Sequence, residues 1–205
     1  MAKLPRPPAT LAGIPAQIHP LTAGTLLWRI FQSAGDHPTA WNTWRAFGPV
    51  DARFDHHLDP PRIQQRKILY ASLNPGTAFA EVFQRTRVIN RRRGQPCLAG
   101  FRTARALRLL DLTDAWPTRA GASMAISTGS RVITRQWSRV IYDAYPDLDG
   151  LWYGSSMDGN RPCVALYERA TDVAPALPEL HRLLQDPALR PVVAQAATRL
   201  RYRVV

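Results

Sequence analysis

The sequence predicts an α+β fold: a compact single domain of short strands with flanking helices. Two observations carry this. Short apolar runs rich in β-branched and aromatic residues recur along the chain, and helical periodicities break into them irregularly, without the regular alternation of a βαβ array. At 205 residues with 45% hydrophobic content, the chain has the material for one substantial core.

The elements follow in order. Residues 1–20 are proline-rich, with four prolines before His19, and are expected to form an extended peripheral segment ahead of a domain over 21–205. Thr25 to Phe31 reads as a strand, with Leu26, Trp28 and Ile30 on one face and Leu27, Arg29 and Phe31 on the other. Ser33 to Pro61 reads as a long loop, and a loop of that length is usually functional or partly structured. Lys67 to Ser72 is a second strand. Asn74 then offers an N-cap and Pro75 a first helical residue, so a short amphipathic helix is expected over Gly76 to Thr86. Arg91-Arg92-Arg93-Gly94 reads as a turn, and Cys97 to Arg102 and Leu107 to Leu112 as strands. Ser130 to Tyr145 carries the clearest helical stripe, through Ile133, Trp137, Val140, Ile141 and Ala144. Leu151 to Tyr153 and Cys163 to Glu168 read as strands around a turn. Glu179 to Gln185 and Val192 to Thr198 read as short helices, and Leu200 to Val205 as a closing strand.

Composition narrows the function. No apolar run approaches the ~20 residues of a membrane span, no signal peptide is expected, and Cys97 and Cys163 lack the spacing of a zinc site or disulfide framework. The expectation is a cytoplasmic protein without a metal. The net charge of +12 suits an anionic substrate or polyanionic partner, but 25 of the 27 basic residues are arginine, which also fits a compositional bias. His56-His57 lacks further ligands at metal spacing and is expected to be exposed loop. Ser155-Ser156 lacks a nucleophile elbow, so serine is read as a hydrogen-bond donor.

One constellation carries chemistry. Tyr70 lies near the end of a strand and Glu81 in the second turn of the following helix, so a short turn lets both reach one cleft. Breaking a bond between nicotinamide and ribose builds positive charge on the sugar, which a partly desolvated carboxylate stabilises. Glu81 suits that role. Tyr70 offers a ring for stacking, and Arg53 and Arg29 offer planar donors for a pyrophosphate. The plainer reading is an ordinary tyrosine on a strand and a solvent-facing glutamate on a helix.

The order of motifs resembles the RES domain, found as the toxin of RES-Xre toxin–antitoxin pairs. Trp28-Arg29 matches its first strand and Ala52-Arg53-Phe54 its Gly-Arg-aromatic segment. Leu69-Tyr70-Ala71-Ser72 and Thr77-Ala78-Phe79-Ala80-Glu81-Val82 match its strand and helix. Gly150-Leu151-Trp152-Tyr153-Gly154-Ser155 matches its Gly-x-x-Tyr-x-Ser segment. Ala52 stands where the family has glycine, and the interval from Arg53 to Tyr70 is long. The resemblance implies a fold like that of ADP-ribosyltransferase toxins. It assigns catalysis to Arg53, Tyr70, Glu81 and Ser155, and substrate binding to Arg29, Arg53, Tyr70, Ser155 and Ser156. It also implies NAD as substrate rather than bound cofactor, inorganic phosphate as co-substrate, and a cognate Xre-type antitoxin. The expected reaction is phosphorolysis to nicotinamide and ADP-ribose-1″-phosphate. NAD hydrolysis and protein ADP-ribosyl transfer stand as alternatives, a homo-oligomer is left open, and no membrane or direct nucleic-acid binding is expected. A reading from a different class, a basic nucleic-acid-binding module, would explain the charge but leave the Tyr70, Glu81 and Ser155 motifs as coincidence.

Overall fold

The computed structural model describes residues 4–205. In chain order the elements are β1 (Ile18–Leu21), β2 (Leu26–Gln32), β3 (Arg45–Gly48), β4 (Arg62–Ser72), α1 (Pro75–Phe83), β5 (Val88–Ile89), β6 (Pro96–Arg102) and β7 (Leu107–Asp111). There follow α2 (Trp116–Arg119), α3 (Ala125–Thr128), α4 (Arg131–Ala144), β8 (Gly150–Gly154), β9 (Pro162–Tyr167), β10 (Leu180–Leu183), α5 (Arg190–Leu200) and β11 (Arg203–Val204). The main sheet runs β1-β7-β8-β9-β4-β2-β6-β10, with β3 paired to β4. Its pairings are antiparallel except β7 with β8, and β5 with β11 forms a separate parallel ribbon.

The register sorts the side chains onto two faces. Tyr153 stands opposite Cys163, Cys163 opposite Ser72, Ser72 opposite Trp28, and Trp28 opposite Gly100. Cross-strand partners share a face, so this row marks one side of the sheet. Two cores form on that side. In one, Ile68, Leu151, Ala165 and Tyr167 pack with Trp116, Trp137 and Ile141 of the helical segment. In the other, Ile30 and Leu98 pack with Phe79 and Phe83 of α1 and Val193 and Ala196 of α5. The opposite face buries Leu27, Phe31, Leu69, Val164 and Leu166 with Trp41, Trp44 and Trp152.

Several expectations change. The segment over Glu179 to Gln185 is strand β10, not a helix; four residues, Leu180 to Leu183, pair with β6, and His181 stacks on Phe31 at 5.6 Å. Its short Leu-His-Arg-Leu run offers no full helical stripe, and sheet pairing decides. The stretch from Ser33 to Pro61 contains β3. The proline-rich start is less peripheral than its composition suggests. Leu11 is fully buried, Tyr145 donates to the Leu11 and Ile14 carbonyls, Trp137 donates to that of Pro5, and β1 pairs with β7. Residues 1–3 lie outside the described residues. His56 and His57 are fully buried, not exposed. The His57 Nδ1 lies 2.5 Å from Asp55, whose other oxygen meets Arg45 at 3.0 Å, and His56 stacks on Tyr142. A buried carboxylate between two cationic-capable partners draws the loop inward. Cys97 and Cys163 are free and buried.

Gly150 opens β8 where the strands leave no space. A Cβ there would lie 2.2 Å from the Ala165 carbonyl oxygen, whereas one on Gly13 would meet nothing within 4 Å. Gly150→Ala is therefore expected to cost about 1–3 kcal/mol through overpacking, and Gly13→Ala much less. Urea unfolding of the two variants checks this, and equal midpoints would contradict it.

Candidate active site

The helix that carries Glu81 is fixed at its start. The Asn74 side chain accepts the Gly76 amide at 2.8 Å and Pro75 occupies the first turn, as the sequence indicates. Thr77, Ala78, Phe79, Ala80 and Phe83 are buried, which leaves Glu81 at the margin of the α1 core, facing the seam between the two cores. Across that seam is Ser155, fully buried just after β8. Its hydroxyl donates to Glu81 Oε1 at 2.5 Å and accepts the Met157 amide at 3.2 Å.

The turn holding Ser155 is pinned twice. The Asn160 amide bonds the Ser155 carbonyl at 3.0 Å, with Gly159 and Asn160 at positive φ. Asp158 then accepts from Thr77 of α1 at 2.6 Å and takes both Nη atoms of Arg199 of α5, at 2.5 and 2.8 Å. Burial would raise the Asp158 pKa, but these partners hold it below the ordinary carboxylate range. For Glu81 the balance falls the other way. Burial pushes its pKa up, Ser155, Arg53 and Arg131 pull it down, Asp158 adds to the rise, and the net direction is upward. A hydroxyl donor to a charged acceptor contributes about 1.5–3 kcal/mol, against a desolvation penalty of several kcal/mol per ion.

Ser155 hydrogen-bonds Glu81, and Arg53, Tyr70 and Tyr153 lie within electrostatic range of that carboxylate. Arg53 is partly buried, donates to the Gly129 carbonyl at 2.7 Å, and interacts electrostatically with Glu81. Ala52 has no positive φ, so its backbone does not require the family's glycine. The Tyr70 hydroxyl is buried beside the Phe54 backbone while part of the residue stays exposed, and burial holds its pKa well above the ordinary phenol value.

Arg29 is not among them. Strand alternation puts it on the opposite face with Leu27 and Phe31, where it donates to the Trp41 and Thr43 carbonyls at 3.1 and 2.9 Å. Burial lowers its pKa to about 10. Ser156 is exposed and bonds to none of these groups. Sequence reasoning missed Arg131, the first residue of α4, which donates to Asp51 at 2.7 Å and to Gln84 at 2.9 Å and lowers the Glu81 pKa. A signal existed: a cation at a helix N-terminus opposes the macrodipole and asks for a reason. The Asp158–Arg199 pair, 41 residues apart, left no such signal.

Two hollows, of about 600 and 410 Å³, open beside β4 and α4; the first is lined by Ala46, Ile63 and Lys67, the second by Val50, Asp51 and Arg135. Neither is lined by Tyr70, Glu81 or Ser155. Among the described residues no group of three or more histidine, cysteine or acidic side chains is placed to hold a metal, and no helix is long and apolar enough to cross a membrane.

Fold and cluster together define an α+β domain whose two helical cores meet at a carboxylate–serine pair. The family model for the RES domain matches residues 26–190, and the chain belongs to that family. Among solved structures it is similar to a chain of the crystal structure of the M. tuberculosis MbcT–MbcA toxin–antitoxin complex. The TM-score is 0.54 with 14% identity, over 86% of this chain and 90% of that one. At that identity the likeness concerns the fold. No curated protein matches the sequence.

Just after β9, Glu168 accepts the Lys67 amide at 2.8 Å and the Tyr142 hydroxyl, with His56 Nε2 at 3.8 Å. Burial would raise its pKa, but these groups lower it to about 2. A depressed carboxylate pKa stabilises the fold above the unfolded value, and the gain is lost as pH falls through the folded one. Stability should therefore drop between about pH 4.5 and pH 2. Glu168→Gln should flatten that part of the curve in urea unfolding; an unchanged slope would contradict it.

Proposed function

We propose that this chain is a RES-type toxin that cleaves the nicotinamide–ribose bond of NAD, with phosphate as the acceptor. The observation that carries the reading is the Ser155–Glu81 hydrogen bond in the seam between the cores, with Arg53 and Tyr70 within electrostatic range of the carboxylate, in a chain of the RES family.

Nicotinamide leaves as a neutral base from a cationic linkage, so charge develops on the ribose. Glu81, ionised and poorly hydrated, stabilises that charge where the surroundings are already oriented. Ser155 fixes the carboxylate and favours its ionised form. The Tyr70 ring stacks on the nicotinamide while its buried hydroxyl stays neutral. Arg53 pairs with the pyrophosphate, and Arg131, rather than Arg29, is the second guanidinium on this side. Phosphate oxygen then bonds to the anomeric carbon as the carbon–nitrogen bond breaks, giving ADP-ribose-1″-phosphate. Water or a protein side chain in the place of phosphate would make the same site a glycohydrolase or an ADP-ribosyltransferase. A protein that consumes NAD needs restraint in its own cell, and the similar structure is that of a toxin–antitoxin complex. An antitoxin that covers Glu81 and its neighbours is part of this reading.

The test follows nicotinamide release from NAD with and without phosphate. Turnover should require phosphate, and Glu81→Gln should lower it by about 100-fold or more with the fold intact. Turnover without phosphate would point to hydrolysis, and equal rates for Glu81→Gln and wild type would remove Glu81 from the chemistry.

The pH profile tests Ser155 separately. The raised Glu81 pKa means the carboxylate ionises above the usual glutamate range, so activity should fall as pH drops through that higher value. Ser155→Ala removes a bond that favours the ionised form, so the acid limb should move to higher pH. A limb that stays in place or moves down would show that Ser155 does not tune Glu81.

A further inference from the structure

The charge of this chain is concentrated in two segments. Residues 82–110 hold eight arginines and no acidic residue, and residues 187–205 hold four arginines and none. Those twelve cations equal the whole net charge of +12, and the rest of the chain balances fifteen basic residues against fifteen acidic ones. A bias in base composition raises arginine throughout and does not empty two particular segments of acid.

The fold joins the two segments. β5 and β11 pair in parallel, Arg203 opposite Val88, with the Arg203 amide bonded to the Arg87 carbonyl and the Arg91 amide to that of Val205, both at 3.0 Å. Arg85 and Arg87 precede this ribbon, Arg92 and Arg93 follow it, and Arg201 and Arg203 run alongside. All six are exposed, and none has an ion pair among the described residues. Three other arginines of these segments behave differently: Arg102, Arg105 and Arg199 pair with Glu179, Asp149 and Asp158. Arg91, half-buried at the ribbon's end, keeps its Nε without a partner.

We infer that this arginine ribbon binds the phosphate backbone of double-stranded nucleic acid, independently of sequence. Guanidinium groups pair with phosphate oxygens in planar, bidentate fashion. The β5–β11 pairing is bonded at Arg87 and at Arg91, a stretch of at most roughly 13 Å at ~3.3 Å per residue, over which duplex DNA presents at most about eight charges. Single strands are a poorer fit, because they are held by stacking on exposed aromatics. The aromatics of these segments, Phe83, Phe101 and Tyr202, are all buried. An acidic protein face is also a poorer fit. A protein interface has a desolvated apolar centre, and here the exposed large apolar residues are Val82, Val204 and Val205.

The experiment measures binding of a labelled random-sequence DNA duplex by fluorescence anisotropy across a salt series, using the full chain. Arg92→Ala/Arg93→Ala/Arg203→Ala should weaken binding at least tenfold at low salt. It should also make the slope of log affinity against log salt shallower by about 2.7, or 0.9 for each phosphate no longer neutralised. A control that removes the same charge elsewhere, Arg6→Ala/Arg62→Ala/Arg119→Ala, should stay within twofold of wild type, and unlabelled NAD should not displace the duplex. Four results would overturn the inference: no duplex binding at low salt; equal losses in both triple variants, which would make net charge the cause; displacement by NAD, which would assign the arginines to the substrate cleft; or capture of a poly-glutamate peptide in place of the duplex. Nicotinamide release by the ribbon variant should match wild type, which keeps this test separate from the reading of Glu81.

Discussion

The hydrogen bond from Ser155 to Glu81 joins two parts of the molecule that belong to different hydrophobic cores. Glu81 rides on α1, packed with α5 over Ile30 and Leu98, while Ser155 continues β8, whose Leu151 and Tyr153 pack with the α4 layer. Each core can form by burying its own apolar surface, but their relative position is then only loosely set. A charged acceptor short of water is more demanding. It needs its donor in place, because an unpaired buried charge costs more than any single contact at the seam. The Thr77–Asp158–Arg199 chain is the second tie across the same gap, and it reaches it from α5. Arg199 lies beyond the segment that the family model matches. The C-terminal helix therefore braces the Ser155 turn from outside the matched region.

Much of the fold was legible because the relevant physics is local. The Asn74–Pro75 start of α1, the stripe of α4 and the alternation of β2 are properties of neighbouring residues, and the structure has all three. Alternation even separated Arg29 from Trp28 and Ile30, and that separation later places Arg29 on the far face of the sheet. What stayed hidden depends on distant partners. Leu180 to Leu183 becomes a strand because the edge of β6 is available to it. His56 and His57 look like loop residues until Asp55, Arg45 and Tyr142 close around them. In the site, the Tyr70-to-Glu81 spacing was readable as a strand–turn–helix, whereas Arg131 and Asp158 entered only through side-chain contacts across the seam.

The positive potential near the seam has more than one source. Arg131 stands at the first turn of α4, and Ser130 gives that helix no side-chain cap. The helix therefore presents uncapped backbone amides and the positive end of its dipole beside two guanidinium groups. Stacking a cation on that end is unfavourable unless an anion offsets it. Asp51 and Glu81 do so, through the Arg131–Asp51 pair and the electrostatic coupling of both arginines to Glu81. The arginines at α4 pull the Glu81 pKa down while burial and Asp158 push it up, and burial wins. The site therefore sets a carboxylate short of water against guanidinium groups that are themselves tied to Asp51 and to the Gly129 carbonyl, a balance that a nearby change of charge would shift.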